Sequence, residues 1–459
     1  MDRSSLAVRR EFTAAEVERV AEQAAILGLQ MRTSPLQFTH MPFSLLPSPV
    51  PRGEFTRAMS AMPLFNRLID AIARSPDWLY ENLEGLDEFT SQLLMVSRHC
   101  QPPSQQVYLG IHRSDYMLGT GNRLQQVEIN TISSAFGALA PRLKELHSWV
   151  LGCYGDGEES ACNLPENGAL EGMVEAFAQA WTLQGGGGVL LMVVNDQERN
   201  VFDQGFIEAS LWQKHQIRTV RASLSAISLH FTLEPGTNDG LYQGLPVSII
   251  YYRAGYAPND YKTAQDWETR EKLEKSTAVK CPCIDYHLAG VKKVQQLLCS
   301  EEHLSRFLPD PAEQRELQAF FTSIFGLEQP LPESTLQDVT AHPENWVLKP
   351  MREGGGNNLY DNQVKDAFQD YSPHSDRLKG YILMKKILPK PFPVLLVREG
   401  SASLLPGLWE LGTFGTFIGT KERVYLNSAP GYLLRTKSAS SNEGGVAAGY
   451  AVLDTPYLV

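Results

Sequence analysis

The residues best suited to chemistry stand together in one stretch, Lys349–Tyr360, with the sequence KPMREGGGNNLY. It follows residues 346–348 (WVL), which predict a short buried strand with Lys349 leaving its end and the glycines forming a loop. Three consecutive glycines allow backbone N–H groups to close on an anion. Lys349 adds a positive charge suited to phosphate, and Glu353 adds a hard oxygen ligand suited to Mg²⁺. The stretch predicts a nucleotide triphosphate site, although glycines alone would indicate a surface turn.

The stretch is neither of the two best-known phosphate-binding motifs. It lacks both G-x-x-x-x-G-K-[ST] and G-x-G-x-x-G between a strand and a helix. The string KPxREGGGNNLY instead resembles the glycine-rich lid of eukaryotic-type glutathione synthetases, which are ATP-grasp ligases.

Bulk composition narrows the class of protein. The 459 residues exceed one compact core, so two or three domains are expected. A hydrophobic content of 43% and a charged content of 20% are ordinary for a soluble globular enzyme. The net charge of −11 argues against a nucleic-acid binder, but a few local Arg and Lys could still bind an anionic substrate. No apolar run approaches the roughly 20 residues that span a bilayer, and no signal peptide is expected.

The six cysteines show no disulfide framework. Cys281-Pro282-Cys283 has no second Cys or His cluster that would complete a zinc site. All six are predicted to be free thiols in a reducing compartment, and the expected location is the cytosol.

The N-terminal region predicts scaffold rather than chemistry. Residues 12–31 predict a helix that begins with a capping box between Thr13 and Glu16. A second helix is predicted at 55–72, and both helices are expected to serve as scaffold or dimer surface.

Polar side chains gather again between residues 107 and 139. Residues 107–111 predict a strand, which HRSDYM follows. Residues 126–130 alternate strictly, which places Glu128 and Asn130 on one face, roughly 6–7 Å apart. The two side chains either share a hard cation or lie on a solvated sheet face. The string QVEINTISSAFG resembles the family's metal-binding strand, which implies Mg²⁺ ligands, and Arg113 matches the arginine that holds the peptide substrate.

The chain changes character at the glycines of 185–188, where a domain boundary is expected. Strand patterns at 189–194, 217–221 and 247–252 and a helix pattern at 202–215 predict a small parallel sheet. Ligands bind at the carboxyl ends of such strands, where the strings ERNVFDQ and RAGY each carry an arginine suited to a carboxylate. Both strings could be plain polar loops, but they resemble the family's pocket for γ-glutamylcysteine.

Further strings resemble the family's nucleotide side. LAGVKKVQ resembles the segment whose first lysine, here Lys292, contacts ATP. Residues 381–387 predict a strand resembling the adenine-binding hinge, and Glu410 matches the residue on the ribose side. At the chain's end, LLRTK and EGGVAAG resemble the substrate loop, where Arg435 and Lys437 suit a carboxylate and a phosphate in adjacent pockets.

The resemblance extends from Arg113 to Gly449 and implies an α/β ATP-grasp body with a glycine-rich lid and an inserted small parallel-sheet domain. The expected segments are 1–185 (body with the metal strand and dimer surface), 186–300 (substrate-binding domain) and 301–459 (lid and remainder of the body). The implied reaction joins γ-glutamylcysteine and glycine into glutathione through an acyl phosphate, with ATP and Mg²⁺. The implied assembly is a homodimer with no nucleic-acid or membrane partner.

The resemblance also implies a set of site residues. The catalytic residues are Arg113, Lys349 and Arg435. The Mg²⁺ ligands are Glu128, Asn130 and Glu353. The ATP contacts are Glu128, Lys292, Lys349, Glu353, Gly354, Gly355, Gly356, Asn357, Asn358, Tyr360, Met384, Lys385, Lys386, Ile387, Glu410, Lys437 and Glu443. The substrate contacts are Arg113, Ser133, Ser134, Glu198, Arg199, Asn200, Gln204, Arg253, Tyr256, Arg435, Val446 and Ala447.

Three positions depart from the family pattern. Ala135 stands where a second serine is frequent, Ala254 where an acid is frequent, and Lys385 where an acid is usual in the hinge. Two alternatives stay open: a ligase of the same fold that uses β-alanine or serine as the acceptor amine, and a non-catalytic ATP-binding regulator.

Overall fold

The computed structural model describes residues 11–155, 161–351, 356–369, 378–442, 444–446 and 449–459. The predicted site residues Glu353, Gly354, Gly355, Glu443 and Ala447 lie outside the described residues.

The first part of the chain is mainly helical around short strands. Its helices are α1 (Ala14–Ile26), α2 (Arg52–Ala73), α3 (Pro76–Leu83), α4 (Glu88–His99), α5 (Leu139–Tyr154) and α6 (Ala169–Leu183). Its strands are β1 (Gln30–Ser34), β2 (Gln37–His40), β3 (Phe43–Ser44), β4 (Ser48–Val50), β5 (Tyr108–Leu118) and β6 (Leu124–Asn130).

The middle part alternates strands and helices. Its strands are β7 (Val189–Val193), β8 (Thr219–Ala222), β9 (Phe231–Leu233), β10 (Gly240–Tyr242), β11 (Leu245–Tyr252) and β12 (Val279–Cys281). Its helices are α7 (Val201–His215), α8 (Leu224–His230), α9 (Ala264–Lys275), α10 (Ile284–Ala289) and α11 (Lys292–Leu298).

The last part is rich in strands. Its helices are α12 (Glu301–Phe307), α13 (Pro311–Gln318), α14 (Glu333–Ala341) and α15 (Asn362–Phe368). Its strands are β13 (Ile324–Gly326), β14 (Trp346–Pro350), β15 (Leu359–Tyr360), β16 (Tyr381–Lys385), β17 (Phe392–Arg398), β18 (Ser401–Gly419), β19 (Val424–Ser438), β20 (Ala451–Asp454) and β21 (Pro456–Leu458).

The largest sheet joins both ends of the chain in the order β17-β3-β20-β19-β18-β5-β6. Because β17 also pairs with β18, five of its strands form a closed circuit of pairings. Helix α2 packs on this sheet, where the buried Asn66 donates hydrogen bonds to the Thr416 carbonyl and the Asn427 side chain. The sheet therefore gives a rigid base to the side chains of β5, β6, β18 and β19.

The other two large sheets carry or adjoin further site residues, such as Lys349 and Met384 on strands and Arg253 directly after β11. Strands β7, β8 and β11 pair in parallel, as the sequence predicts. The sheet also contains the parallel β12, which was not predicted, and the antiparallel β9 and β10 at one edge. A four-stranded sheet has the order β13-β16-β14-β15. The predicted mixed α/β class is confirmed.

The structure confirms the predicted capping box of α1 but shows that several predicted element boundaries are wrong. The Thr13–Glu16 capping box is present, but α1 ends at Ile26 rather than at residue 31, because Gly28 has a φ of +73° and β1 follows. The strand predicted at 107–111 continues to residue 118, so Arg113 lies inside β5. Lys349 lies within β14, paired with Ile382 of β16, rather than beyond the strand's end.

A bulge breaks the alternation predicted for β6. Asp115 pairs with Glu128 and Tyr116 pairs with Gln126, which leaves Val127 without an opposite residue on β5. Val127 and Glu128 consequently line the same cavity, although strict alternation assigns them to opposite faces.

Candidate active site

Two adjoining cavities bring most of the predicted site residues together. Cavity A has a volume of about 540 Å³, and its predicted site residues are Arg113, Glu128, Asn130, Ser133, Glu198, Asn200, Arg253, Tyr256, Asn357, Arg435 and Val446. Cavity B has a volume of about 390 Å³, and its predicted site residues are Glu128, Lys292, Lys349, Asn358, Tyr360, Met384, Lys385, Lys386, Ile387, Glu410, Arg435 and Lys437. Glu128 and Arg435 line both cavities, so these two side chains mark where the cavities meet.

An ion-pair network crosses this junction. Asp115 is fully buried and accepts two hydrogen bonds from Arg113, at 2.6 and 2.8 Å. The same carboxylate accepts a hydrogen bond of 2.9 Å from Arg435, which also pairs with Glu410 on the neighbouring strand. Burial by itself lowers the pKa of Arg435, but Glu410, Asp115 and Glu128 raise it by more than burial lowers it. The net shift is upward, so the guanidinium stays charged. Each arginine is thereby held in one orientation at the cavity wall.

A glycine makes room for this network. Gly412 on β18 stands opposite Asp115 on β5. A Cβ at Gly412 would lie 2.7 Å from both Arg113 Cδ and Asp115 Oδ1. A larger residue at 412 would therefore have to displace the ion pair.

Positive charge dominates cavity B. The Lys292 ammonium lies 3.2 Å from the Glu128 carboxylate, and the Lys349 Nζ donates to the Val127 carbonyl at 2.9 Å. Both lysines are 5% exposed. Burial raises the pKa of Glu128, but Lys292, Lys349 and Arg435 together lower it to about 2. Glu128 is therefore ionised. Lysine and arginine side chains still outnumber the acidic side chains in the described wall of cavity B, which suits the binding of a polyphosphate.

Further polar groups complete the wall of cavity B. The Lys437 Nζ donates to the Asn442 carbonyl at 2.7 Å, and the Lys386 Nζ donates to the Asn442 side chain at 3.2 Å. Met384 and Lys385 lie on β16, whose backbone pairs with β13 and β14. Ile387 adds an apolar side chain to the same wall. This end of the cavity suits a flat, partly apolar group beside the phosphate-binding lysines.

The junction also offers ligands for a hard cation. Glu128 contributes an ionised carboxylate, and the Asn130 amide donates its N–H to Asp115 at 3.0 Å, which leaves its carbonyl oxygen for another partner. Within the described ranges, no three His, Cys, Asp or Glu side chains are grouped closely enough to hold a metal ion. Glu128 and Asn130 fit Mg²⁺ bound partly by phosphate oxygens and water, as that ion is usually held.

The far end of cavity A combines a buried arginine with oxygen acceptors. Arg253 is 4% exposed and donates from Nη2 to Asp203 at 2.9 Å. Its Nε and Nη1 are buried without a hydrogen-bond partner among the described residues. Asn200 Oδ1, in the same wall, and Gln204 Oε1 are also buried without such a partner, although the predicted residue Gln204 does not line the cavity. A free guanidinium edge beside amide oxygens suits a zwitterionic amino-acid head group, with its carboxylate on Arg253.

Glu198 is fixed beside these groups. Its two oxygens accept hydrogen bonds from the Asn200 N–H at 2.8 Å and from Gln204 Nε2 at 2.7 Å. Gln204 thus holds Glu198 from behind. Ser133, with a φ of +54°, donates its hydroxyl to the Arg253 carbonyl at 2.9 Å and joins the loop after β6 to β11.

Some predicted residues lie outside the cavity walls. Ser134 is buried, and its hydroxyl donates to the Asn130 carbonyl at 3.4 Å. Arg199 is exposed and lines neither cavity. Gly356 has a φ of +86°, which favours glycine, and it follows the part of the loop that lies outside the described residues.

The sequence analysis missed two buried acids. Asp115 has a local signal, since it stands two residues after Arg113 and a strand brings such residues to one face. Asp203 lies in the first turn of α7 and accepts the backbone N–H groups of Phe136 and Ala138, both at 2.9 Å. It therefore anchors the loop after β6 as well as Arg253.

Two structural predictions concern the protein's surroundings. The six cysteines, all of which are among the described residues, form no disulfide, as predicted. Over the described part of the chain, the helices are too short or too polar to cross a membrane.

Comparison with known proteins identifies the relatives. The family described as "Eukaryotic glutathione synthase, ATP binding domain" matches residues 12–458. The chain is 40% identical to a chloroplastic glutathione synthetase of Solanum lycopersicum, over 92% of this chain and 79% of that one. It is 39% identical to a glutathione synthetase of Xenopus laevis, over 97% of each chain. A solved structure of a glutathione synthetase-like effector from Globodera pallida, in its apo form, shares the fold with a TM-score of 0.79 at 19% identity, covering 98% of each chain.

The fold, the two joined cavities and these relatives define an ATP-dependent ligase of the ATP-grasp class. Within that class, the chain belongs to the eukaryotic glutathione synthase family. The family, the ligase activity and the use of ATP, all predicted from the sequence, are confirmed.

Proposed function

We propose that this chain joins γ-glutamylcysteine to glycine in cavity A, using ATP bound in cavity B. The observation that carries the proposal is the junction, where Glu128 and Arg435 line both cavities. A substrate carboxylate in cavity A and a terminal phosphate in cavity B would meet there. Such proximity converts a reaction between two molecules into one within a single complex.

Different parts of the wall of cavity B would bind the phosphates and the adenine of the nucleotide. Lys292, Lys349 and Lys437 would neutralise phosphate oxygens, because all three line cavity B and the first two lie near Glu128 at the junction. The strand and turn at 384–387 would hold the adenine, and Glu410 would face the ribose side. Mg²⁺ would be held by Glu128 and Asn130, with Glu353 as the third expected ligand. When bound, the ion would draw the phosphates together and offset their negative charge.

Different parts of the wall of cavity A would likewise bind different groups of the dipeptide. Arg253, with its unpaired buried N–H groups, would bind the carboxylate of the glutamyl head group, and Glu198 with Asn200 would receive its ammonium. Arg113 and Arg435 would orient the cysteinyl carboxylate at the junction. Tyr256, Val446 and Ser133 line the intervening wall, and Ala447 is expected to face the acceptor amine.

The chemistry needs no protein nucleophile, because a carboxylate is already nucleophilic. A cysteinyl carboxylate oxygen attacks the γ-phosphorus, the bond from phosphorus to the bridging oxygen of ADP breaks, and an acyl phosphate forms. The glycine amine then attacks the acyl carbon, loses a proton, and expels phosphate. The residues bind, orient and offset charge, and the glycine-rich stretch Gly354–Gly356 is expected to exclude water from the acyl phosphate.

The proposal extends to the setting of the enzyme. A homodimer in the cytosol is expected from the sequence analysis. Analytical ultracentrifugation and localisation of the tagged full chain would test these two expectations.

Phosphate release tests the proposed reaction. Purified protein is supplied with ATP, Mg²⁺ and γ-glutamylcysteine, and each amino acid is added in turn. The proposal expects phosphate and tripeptide to form in equal amounts with glycine. Preference for β-alanine or serine would reassign the acceptor, and absence of dipeptide-dependent phosphate release would leave a nucleotide-binding regulator.

A further inference from the structure

The loop after β11 carries two of the predicted site residues that line cavity A, Arg253 and Tyr256. It turns sharply at Gly255, which has a φ of +90° and is the residue type that adopts this conformation readily. A short 3₁₀ turn, Pro258–Asp260, then leads the chain towards α9. The loop borders cavity A from residue 256 to residue 260.

One carboxylate oxygen holds this loop together. Asp260 Oδ2 accepts the backbone N–H groups of Gly255, Tyr256 and Ala257, at 2.8, 3.0 and 3.2 Å. Three successive N–H groups that converge on one point form a concave anion site, which here is filled by a side chain of the same loop. Arg253 and Asp260 are the charged side chains of the segment 253–261, and Ala254 adds none.

A second contact fixes the other side of the loop. Tyr261 donates its hydroxyl to the Gly255 carbonyl at 3.0 Å. The Tyr261 ring also stacks on Trp267 of α9, with ring centres 3.8 Å apart and planes within 10°. Gly255 is therefore tied through its N–H to Asp260 and through its carbonyl to a side chain anchored on a helix.

We propose that Asp260 is a positioning residue for the dipeptide: by binding three backbone N–H groups it sets the place of Tyr256 in the wall of cavity A. This rests on the proposed function, because it assigns the dipeptide to that cavity. Without the carboxylate, the three N–H groups turn to solvent and the loop is free to move Tyr256 away from the substrate. ATP binding is unaffected, because cavity B has no residue from this loop in its described wall.

The chain offers a matched control in Asp266. Its Oδ2 also accepts three hydrogen bonds, from the N–H groups of Lys262 and Thr263 and from the Thr263 hydroxyl, at 2.9, 2.8 and 3.0 Å. Asp266 is 5% exposed and caps the beginning of α9, away from both cavity walls. Asp260→Ala and Asp266→Ala remove similar local contacts, but only the first touches the loop that carries Tyr256.

The test measures KM for γ-glutamylcysteine and for ATP in wild type, Asp260→Ala, Asp260→Asn and Asp266→Ala. We expect Asp260→Ala to raise the KM for the dipeptide by about tenfold and to leave the KM for ATP within about twofold. Asp260→Asn keeps an acceptor oxygen and should fall between wild type and the alanine variant. Asp266→Ala should lower thermal stability without changing either KM.

Amide hydrogen exchange gives a readout that does not depend on activity. The amides of Gly255, Tyr256 and Ala257 should exchange faster in Asp260→Asn than in wild type. The inference is overturned if these amides stay equally protected, or if the Asp260 and Asp266 variants change the dipeptide KM alike. Wild-type protein that shows no dipeptide-dependent turnover would refute the proposed function instead, and the exchange experiment would still decide the role of Asp260 in the loop.

Discussion

Asp115 binds Arg113 through both of its carboxylate oxygens, within one strand and with neither residue more than 6% exposed. The same carboxylate also accepts hydrogen bonds from Arg435 and from Asn130. One buried acid thus connects an arginine expected to bind the dipeptide, an arginine at the junction and an expected metal ligand.

This arrangement predicts that Asp115→Asn damages both folding and substrate use. The free energy of unfolding should fall by about 3–5 kcal/mol, because the change leaves two buried guanidinium groups without their shared counter-charge. Denaturation and steady-state kinetics would measure the two effects, and the KM for the dipeptide should rise. Glu54→Gln breaks the contact of a buried acid with Arg57 away from both cavities, and should cost stability alone. Unchanged kinetics in a folded Asp115→Asn variant would remove Asp115 from the site.

The lowered pKa of Glu128 predicts that the free energy of unfolding decreases at acidic pH. The pKa of Glu128 in the folded protein is about 2, below its ordinary value of 4.5. Its carboxylate therefore adds stability above pH 4.5, and this contribution is lost as the pH falls from 4.5 towards 2. Glu128→Gln should unfold more easily than wild type at pH 7, by about 2 kcal/mol, without nucleotide or metal.

The difference between wild type and Glu128→Gln should shrink below pH 4.5 in urea titrations. Glu84→Gln serves as the control, because Glu84 forms an exposed ion pair with Arg98 that contributes little to stability. A gap between wild type and Glu128→Gln that stays constant down to pH 3 would contradict the pKa assigned to Glu128.

Two lysines of cavity B should differ in their effect on ATP. Lys349 is 5% exposed at the junction side, whereas the Lys385 side chain is 51% exposed on the wall formed by β16. Lys349→Met should raise the KM for ATP by about tenfold or more, because it removes a charge-assisted hydrogen bond to phosphate. Lys385→Met should change it by no more than a few-fold, because adenine is expected to be recognised there by the backbone. Similar KM values for the two variants would argue that Lys349 does not face the phosphates.

The glycine-rich stretch predicts uncoupling of ATP use from product formation. The double variant Gly355→Ala, Gly356→Ala should lose turnover far more than stability, and should release more ADP than it forms glutathione. At Gly356 the expected effect comes from the backbone conformation, because the φ of +86° is one that residues with a Cβ rarely adopt. It does not come from a clash, because a Cβ there would meet no atom of the described structure within 4 Å. Gly400→Ala is the matched control, with a φ of +75° and equally open space at a turn away from the cavities. If the double variant shows normal turnover and releases ADP and glutathione in equal amounts, the glycine-rich stretch is a surface turn with no role in excluding water.

The sequence predicts most of the cavity walls because the residues occur in short strings with a strong family resemblance. The strings around Lys349, Glu128 and Arg435 each lie on one strand, and the fold brings those strands to one junction. Local pattern also predicts the parallel sheet and the capping box of α1.

The remaining features depend on contacts between distant segments. Asp115 and Arg435 stand 320 residues apart, so their ion pair has no local signal. The bulge at Val127 arises from the register between β5 and β6, and Lys349 lies inside its strand because β16 pairs alongside it. Periodicity describes one strand at a time, whereas these features belong to pairs of strands.

The central claim, that a dipeptide carboxylate takes the γ-phosphate at the junction of the two cavities, can be tested by isotope transfer. γ-Glutamylcysteine labelled with ¹⁸O in the cysteinyl carboxylate is converted with unlabelled ATP and glycine, and the released phosphate is examined by mass spectrometry. The account predicts that one carboxylate oxygen appears in each phosphate. Phosphate free of ¹⁸O, formed together with the tripeptide, would contradict it.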